Sequence, residues 1–213
     1  MTDQTLTIEV YSDVVCPWCY IGKRRLEQAL DTVKGRDSAR VIWRPFQLNP
    51  TMPKAGMDRR VYLESKFGGP SEMKAIQDRV AAVGVSAGID FAFGRIERTP
   101  NTFDAHRLIW FALQQDRQDE VVEELFHGYF TEGLNVGQTE TLVSLAVRAG
   151  LDGETVSRLL QADEGVDAVR QEEARGHQLG IRGVPYFVLN GTSTVSGAQP
   201  VETFVSEIEH VTR

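Results

Sequence analysis

The sequence predicts an α/β protein in which one β-sheet domain is interrupted by a long helical insertion. Three observations lead there. The chain opens with a β-α-β pattern, closes with a β-β-α pattern, and shows only helical periodicity between. Its only two cysteines, Cys16 and Cys19, form a Cys-x-x-Cys where the first strand passes into the first helix. Residues 1–50 and 180–213 are thus assigned to the sheet domain, and residues 51–179 to the helical insertion.

The first strand, residues 6–11, places Leu6, Ile8 and Val10 on one face. A helix is expected over residues 16–33, stopping near Gly35, with Pro17 in its first turn, where a missing N–H removes no helical hydrogen bond. The second strand, residues 40–46, is rich in β-branched and aromatic residues. Residues 57–178 read as helical throughout. Pro70 opens a helix with Met73, Ile76, Val80 and Val83 as its stripe. Asn101 or Thr102 caps a helix running to about Gln115. Val122, Leu125 and Tyr129 form another apolar face, followed by helices over residues 139–149, around Val156, and over residues 163–177. The β-signals return at residues 186–190, turn at Asn190-Gly191 and pair back through residues 192–196. A closing helix over residues 200–211 turns Phe204, Val205 and Ile208 inward. Trp43, Phe46, Trp110 and Phe111 are read as core rather than cofactor contacts.

Composition narrows the function. With 213 residues, 41% hydrophobic and 25% charged, the chain is an ordinary globular protein. Its net charge of −7 argues against nucleic acid or an anionic membrane as partner. No apolar run reaches the length of a membrane span. The start, Met1-Thr2-Asp3-Gln4-Thr5, lacks the basic and apolar segments of a secretory signal, so a cytoplasmic location is expected. That compartment is reducing, which favours a transient catalytic disulfide over a permanent structural one.

The Cys-x-x-Cys carries the chemistry. At a strand-to-helix junction the first thiol meets the helix N-terminus, where backbone N–H groups and the dipole favour an anion. The thiolate is the attacking species in disulfide exchange. The second thiol, three residues on, lies on the same face and can close a short disulfide. A zinc site needs a second close pair of ligands, and His106, His127, His177 and His210 are never at ligand spacing. No metal is therefore expected. Inert buried cysteines remain the plainer alternative, weakened by the junction and by the intervening Pro17-Trp18, whose indole can flank the sulfurs with an apolar surface.

A second signal is Gly183-Val184-Pro185, just before the third strand. A cis bond at Pro185 would expose the Val184 backbone beside Cys16, where it could pair with a client chain. Val-Pro bonds are cis in only about 5–6% of cases, so the sequence leaves the isomer open.

Three stretches together resemble the thioredoxin-fold DsbA-like oxidoreductases, particularly their cytoplasmic FrnE-like branch. They are Ser12-Asp13-Val14-Val15-Cys16-Pro17-Trp18-Cys19-Tyr20-Ile21-Gly22, Asn101-Thr102-Phe103-Asp104-Ala105-His106-Arg107 and Gly180-Ile181-Arg182-Gly183-Val184-Pro185-Tyr186-Phe187. The resemblance implies a thioredoxin-like fold with an inserted helical domain and a disulfide oxidoreductase or isomerase activity. Cys16 would attack, Cys19 would resolve, and Pro185 would be the cis-proline. No cofactor is required, with glutathione as an admissible redox partner beside thiol- or disulfide-bearing protein clients, and a monomer or homodimer is expected. The same fold includes kappa-class glutathione transferases and 2-hydroxychromene-2-carboxylate isomerases, which usually carry serine where this chain has Cys16. A glutathione-dependent isomerase or transferase is the alternative reading, and a redox-inactive binding protein a third.

Other residues are weighed alongside. Pro17, Trp18, Val184 and Pro185 are expected to contact substrate. Asn101 and His106 either line the cleft or serve as a helix cap and a local hydrogen-bond partner. Asp13, three residues before Cys16, either shuttles the Cys19 proton or is a turn aspartate, and as an anion it would oppose thiolate formation.

Overall fold

A computed structural model describes residues 6–33 and 39–213. The Met1–Thr5 segment and the expected helix stop near Gly35 lie outside the described residues. Four strands form one sheet in the order β2-β1-β5-β6: β1 (Leu6–Ser12), β2 (Ala39–Pro45), β5 (Tyr186–Leu189) and β6 (Ser193–Ser196). β1 pairs parallel to β2, with Val10 opposite Trp43, and antiparallel to β5, with Val10 opposite Phe187. Sequence-distant ends therefore meet on the central strand. Asn190 and Gly191 both take positive φ, 48° and 69°, as the right-handed twist of a hairpin demands.

The alternation of β1 decides what covers each face. Leu6, Ile8 and Val10 are buried with Phe187 and Leu189 beneath α1 (Pro17–Thr32) and α9 (Val201–Val211). Phe187 meets Phe204 of α9 edge-on, with ring centroids 4.8 Å apart. The opposite face carries Glu9 and Tyr11. There Arg44 of β2 joins Glu9 to Glu172 of α8 (Val166–Gln178), and Phe46 packs on His177, 5.2 Å between rings. The middle block thus reaches across the sheet rather than standing apart from it.

Between the two sheet halves run α2 (Arg59–Phe67), α3 (Pro70–Ser86), α4 (Phe103–Leu113), α5 (Gln118–His127), α6 (Thr139–Arg148), α7 (Gly153–Gln161) and α8. Pro70 opens α3 as expected. The block is not helical throughout. Met57–Asp58 (β3) pairs antiparallel with Arg98–Thr99 (β4), Phe93–Arg95 forms a 3-10 turn, and Gly128–Glu132 a π turn. Two-residue strands have no room for a period, which is why the pattern concealed them. α1 is pinned to α5 by Lys23, buried among Glu27, Asp119 and Glu123. Those carboxylates outweigh the cost of burying the ammonium and hold its pKa above the usual lysine value.

Candidate active site

β1 ends at Ser12 and the chain turns tightly, the Cys16 N–H donating to the Asp13 carbonyl at 3.0 Å. Cys16 is the N-cap of α1, in extended conformation (φ −94°, ψ 110°), and Pro17 fills the first helical position. No side chain caps the helix. The first-turn N–H groups therefore have no competing side-chain acceptor beside the Cys16 sulfur.

The two thiols differ in surroundings. Cys16 lines a cavity of about 360 Å³, while Cys19 is 0% exposed and sealed behind it. Burial pushes the Cys19 thiol well above its ordinary pKa, and contact with the Cys16 sulfur adds to this against the Ser12 hydroxyl and the Asp13 backbone. Both cysteines are free thiols. From 168 positions away, the Val184 carbonyl accepts a hydrogen bond from Cys16 Sγ at 3.5 Å. The Val184–Pro185 peptide bond is cis. Gly22 allows this approach, since a Cβ there would lie 3.0 Å from both Pro185 Cγ and Phe187 Cζ.

The cavity gathers Asp13, Cys16, Pro17, Trp18 and Val184, while Pro185 stands behind Val184 against α1. Asp13 is buried, with Oδ2 accepting from the Leu48 N–H at 2.8 Å. Its Oδ1 faces His106 Nε2 at 3.5 Å, too far for a hydrogen bond, and among the described residues neither atom has another partner. Asn101 and His106 do not line the cavity. Asn101 braces the loop, donating to the Met52 carbonyl at 2.7 Å and accepting from the Phe103 N–H at 2.9 Å. His106 is buried behind Asp13. Half-buried Glu173 lies near this pair, its carboxyl pKa raised by burial against the pull of His106.

Three lining residues carried no sequence signal. Arg59 begins α2 and donates to the Tyr129 hydroxyl at 2.8 Å, and Lys66 lies one helix-length on. Tyr129 reads in sequence as part of an apolar helical face, and its ring is indeed buried, so nothing in the periodicity marks its hydroxyl. Among the described residues no group of His, Cys, Asp and Glu could hold a metal ion. No described helix is long and apolar enough to cross a membrane.

Comparison with known proteins agrees with this geometry. The chain is 30% identical to the uncharacterized protein YwbO of Bacillus subtilis (strain 168) over 205 residues, 96% of each chain. The crystal structure of the probable DsbA oxidoreductase SCO1869 from Streptomyces coelicolor superposes with a TM-score of 0.89 at 36% identity, covering 96% of this chain and 89% of that one. At the level of fold alone, two others align. One is the cytosolic disulfide reductase DsbM from Pseudomonas aeruginosa with GSH (TM-score 0.67, 18% identity, 96% of this chain, 98% of that one). The other is a 2-hydroxychromene-2-carboxylate isomerase (TM-score 0.71, 14% identity, 96% and 95%). Residues 7–209 match the DSBA-like thioredoxin domain. With a parallel β-α-β opening, a helical insertion and a sheet closed by an antiparallel hairpin, this chain belongs to the DSBA-like thioredoxin domain family.

Proposed function

We propose that the protein is a thiol–disulfide oxidoreductase working through Cys16 and Cys19. The observation that carries this reading is the asymmetry of the pair, one sulfur on a cavity at a helix N-terminus and the other sealed and protonated behind it. In the reducing direction the Cys16 thiolate attacks a disulfide, one partner sulfur leaves as thiolate, and a mixed disulfide forms beside Val184. Cys19 then gives up its proton and attacks the Cys16 sulfur, releasing the second partner thiolate and closing the Cys16–Cys19 disulfide. Two electrons have passed to the partner. Oxidation of a client reverses these steps, and isomerisation combines the two directions on one client. The reduced cysteine pair itself carries the two electrons and gives them up as its disulfide closes, so no metal or organic cofactor is needed.

Within this reading Asp13 accepts the Cys19 proton, and Trp18, Val184 and Pro185 bracket the partner. The likeness to SCO1869 supports the activity class. DsbM with GSH supports glutathione as a redox partner beside protein clients. We also assign a cytoplasmic location, and a division into residues 1–50 with 180–213 and residues 51–179 in which α8 forms the seam.

The test is equilibration in glutathione redox buffers, with Cys16→Ser alongside. A reversible Cys16–Cys19 couple supports the reading, and its potential sets the direction, between about −270 mV for a thioredoxin-like reductant and about −120 mV for a DsbA-like oxidant. If no couple appears, the glutathione-dependent isomerase reading replaces it, consistent with the apolar cavity beside Cys16.

A further inference from the structure

We propose that the cavity beside Cys16 is a receptor for small disulfides and thiols carrying a carboxylate on an apolar body, with the Arg59 guanidinium as its anion anchor. This rests on the oxidoreductase reading and specifies its substrate class. At about 360 Å³ the space falls within the small-molecule range. Its walls include Val15, Trp18, Leu63, Met73, Val80 and Phe93. α2, which supplies one wall, has no fully buried residue, and its half-buried Tyr62 and Leu63 line the cavity.

The charge on that surface runs against the charge of the chain. The protein has 30 acidic and 23 basic residues, yet the lining carries two cations, Arg59 and Lys66, and one acid, Asp13. Among the described residues neither cation meets a carboxylate. Arg59 lies over the rings of Phe93 and Tyr129, at 5.8 and 5.7 Å from their centroids. The Tyr129 hydroxyl accepts from it and passes its own hydrogen to the Arg98 carbonyl at 3.3 Å. Arg59 Nε is buried without a partner. The Lys66 ammonium bonds the Tyr62 hydroxyl and lies over the rings of Tyr62 and Phe67. Asp13 forms no ion pair with either cation, its oxygens facing the Leu48 N–H and His106, although its charge is felt at the Tyr129 hydroxyl.

A guanidinium offers five N–H donors in a fork that matches a carboxylate, and most of this fork is unused. Fixed between two rings, it loses little freedom on binding. A ligand carboxylate seated on Arg59 would place its apolar body along α2 and α3 and its sulfur toward Cys16. Exchange then follows the steps above, with the ligand disulfide cleaved to two thiolates and the Cys19 proton passing to Asp13.

The experiment measures how fast the reduced wild-type protein reduces two aromatic disulfides, the benzoate-bearing dithionitrobenzoate and the uncharged dithiodipyridine. Both are followed by absorbance, the first as its yellow nitrothiobenzoate and the second as its near-ultraviolet thiopyridone. In Arg59→Gln the ratio of the anionic to the neutral rate should fall about 10- to 100-fold, the size of a lost charge-assisted hydrogen bond, while Arg59→Lys retains part of it. A ratio within about twofold of wild type overturns the proposal. A second measurement needs no variant. Phenylbutyrate should saturably slow iodoacetamide alkylation of Cys16 in the wild-type protein, and uncharged phenylbutyramide should not. Equal protection by both, or by neither, overturns the proposal. Failure of the underlying reading looks different: the wild type reduces neither disulfide, Cys16→Ser behaves identically, and the proposal falls with it.

Discussion

Raising the pH should weaken the reduced protein through Cys19 in a window that its burial defines. In the unfolded chain a cysteine ionises near pH 8.5. In the fold, burial and the neighbouring Cys16 sulfur hold the Cys19 thiol protonated well beyond that. The folded state therefore binds more protons than the unfolded state above pH 8.5, and stability must fall as pH rises. This contribution is intact below the unfolded value and lost toward the folded one. At no more than about 1.36 kcal/mol per unit, the one and a half units from pH 8.5 to 10 remove up to about 2 kcal/mol. That is a large part of a stability of about 5–15 kcal/mol. Above pH 10 Tyr20 and Tyr129, both pushed up to about 12 chiefly by burial, add losses of the same sign. The assay is urea unfolding under a phosphine reductant at pH 7.5, 8.5, 9.25 and 10, comparing wild type with Cys19→Ala. The variant should start less stable and lose up to about 2 kcal/mol less across the window. Parallel curves would mean that Cys19 titrates alike in both states, and the sealed resolving thiol would be refuted.

Other perturbations probe separate parts of the structure. Arg107→Met should cost about 3–5 kcal/mol, because the buried guanidinium donates to the carbonyls of Leu159, Leu160, Ala162 and Glu164 as well as to Asp104; a thermal midpoint unchanged from wild type would contradict it. Gly22→Ala gains up to about 1 kcal/mol of helix propensity but overpacks Pro185 and Phe187, for a net loss of about 1 kcal/mol. Displacing Val184 from Cys16 should also slow exchange roughly 10-fold or more, and unaltered kinetics would show that this contact is idle. Asp13→Asn should slow closure of the Cys16–Cys19 disulfide by about 100-fold, seen as accumulated mixed disulfide in stopped-flow mass analysis. Absence of that accumulation would leave Asp13 as a turn residue.

The sheet was legible because its strands alternate: Ile8 and Val10 announce one face, and Asn190-Gly191 announces the hairpin. The cysteine pair was legible because its chemistry needs a fixed spacing at a fixed kind of junction. What sequence could not give was distance. Nothing local tells Cys16 that the Val184 carbonyl stands 3.5 Å away; only the family resemblance joined those stretches. Asn101 shows how an ambiguous residue resolves, since its amide is spent on Met52 and Phe103 rather than on the cavity. Arg59 and Tyr129 were hidden for opposite reasons. Arg59 sits in a two-residue strand-to-helix junction with no period, and Tyr129 obeys the helical period so well that its hydroxyl goes unnoticed.

In the proposed mechanism the roles of the two cysteines follow from access rather than from residue type. Either sulfur could attack in a free peptide. Here Cys19 has no exposed surface and Cys16 borders the cavity, so a partner can meet Cys16 alone. The same division extends to the whole chain. The sheet halves supply the reacting sulfurs and the Val184 carbonyl, whereas α2 and α3 supply the apolar walls and the cations around them. On the proposed reading the reacting sulfurs lie on the sheet halves, and α2 and α3 add cations and apolar walls to a cavity that Trp18 and Val184 also line. Substitutions at Arg59 or Lys66 should retune which disulfides react without altering the Cys16–Cys19 couple, whereas Cys19→Ala should abolish the couple outright.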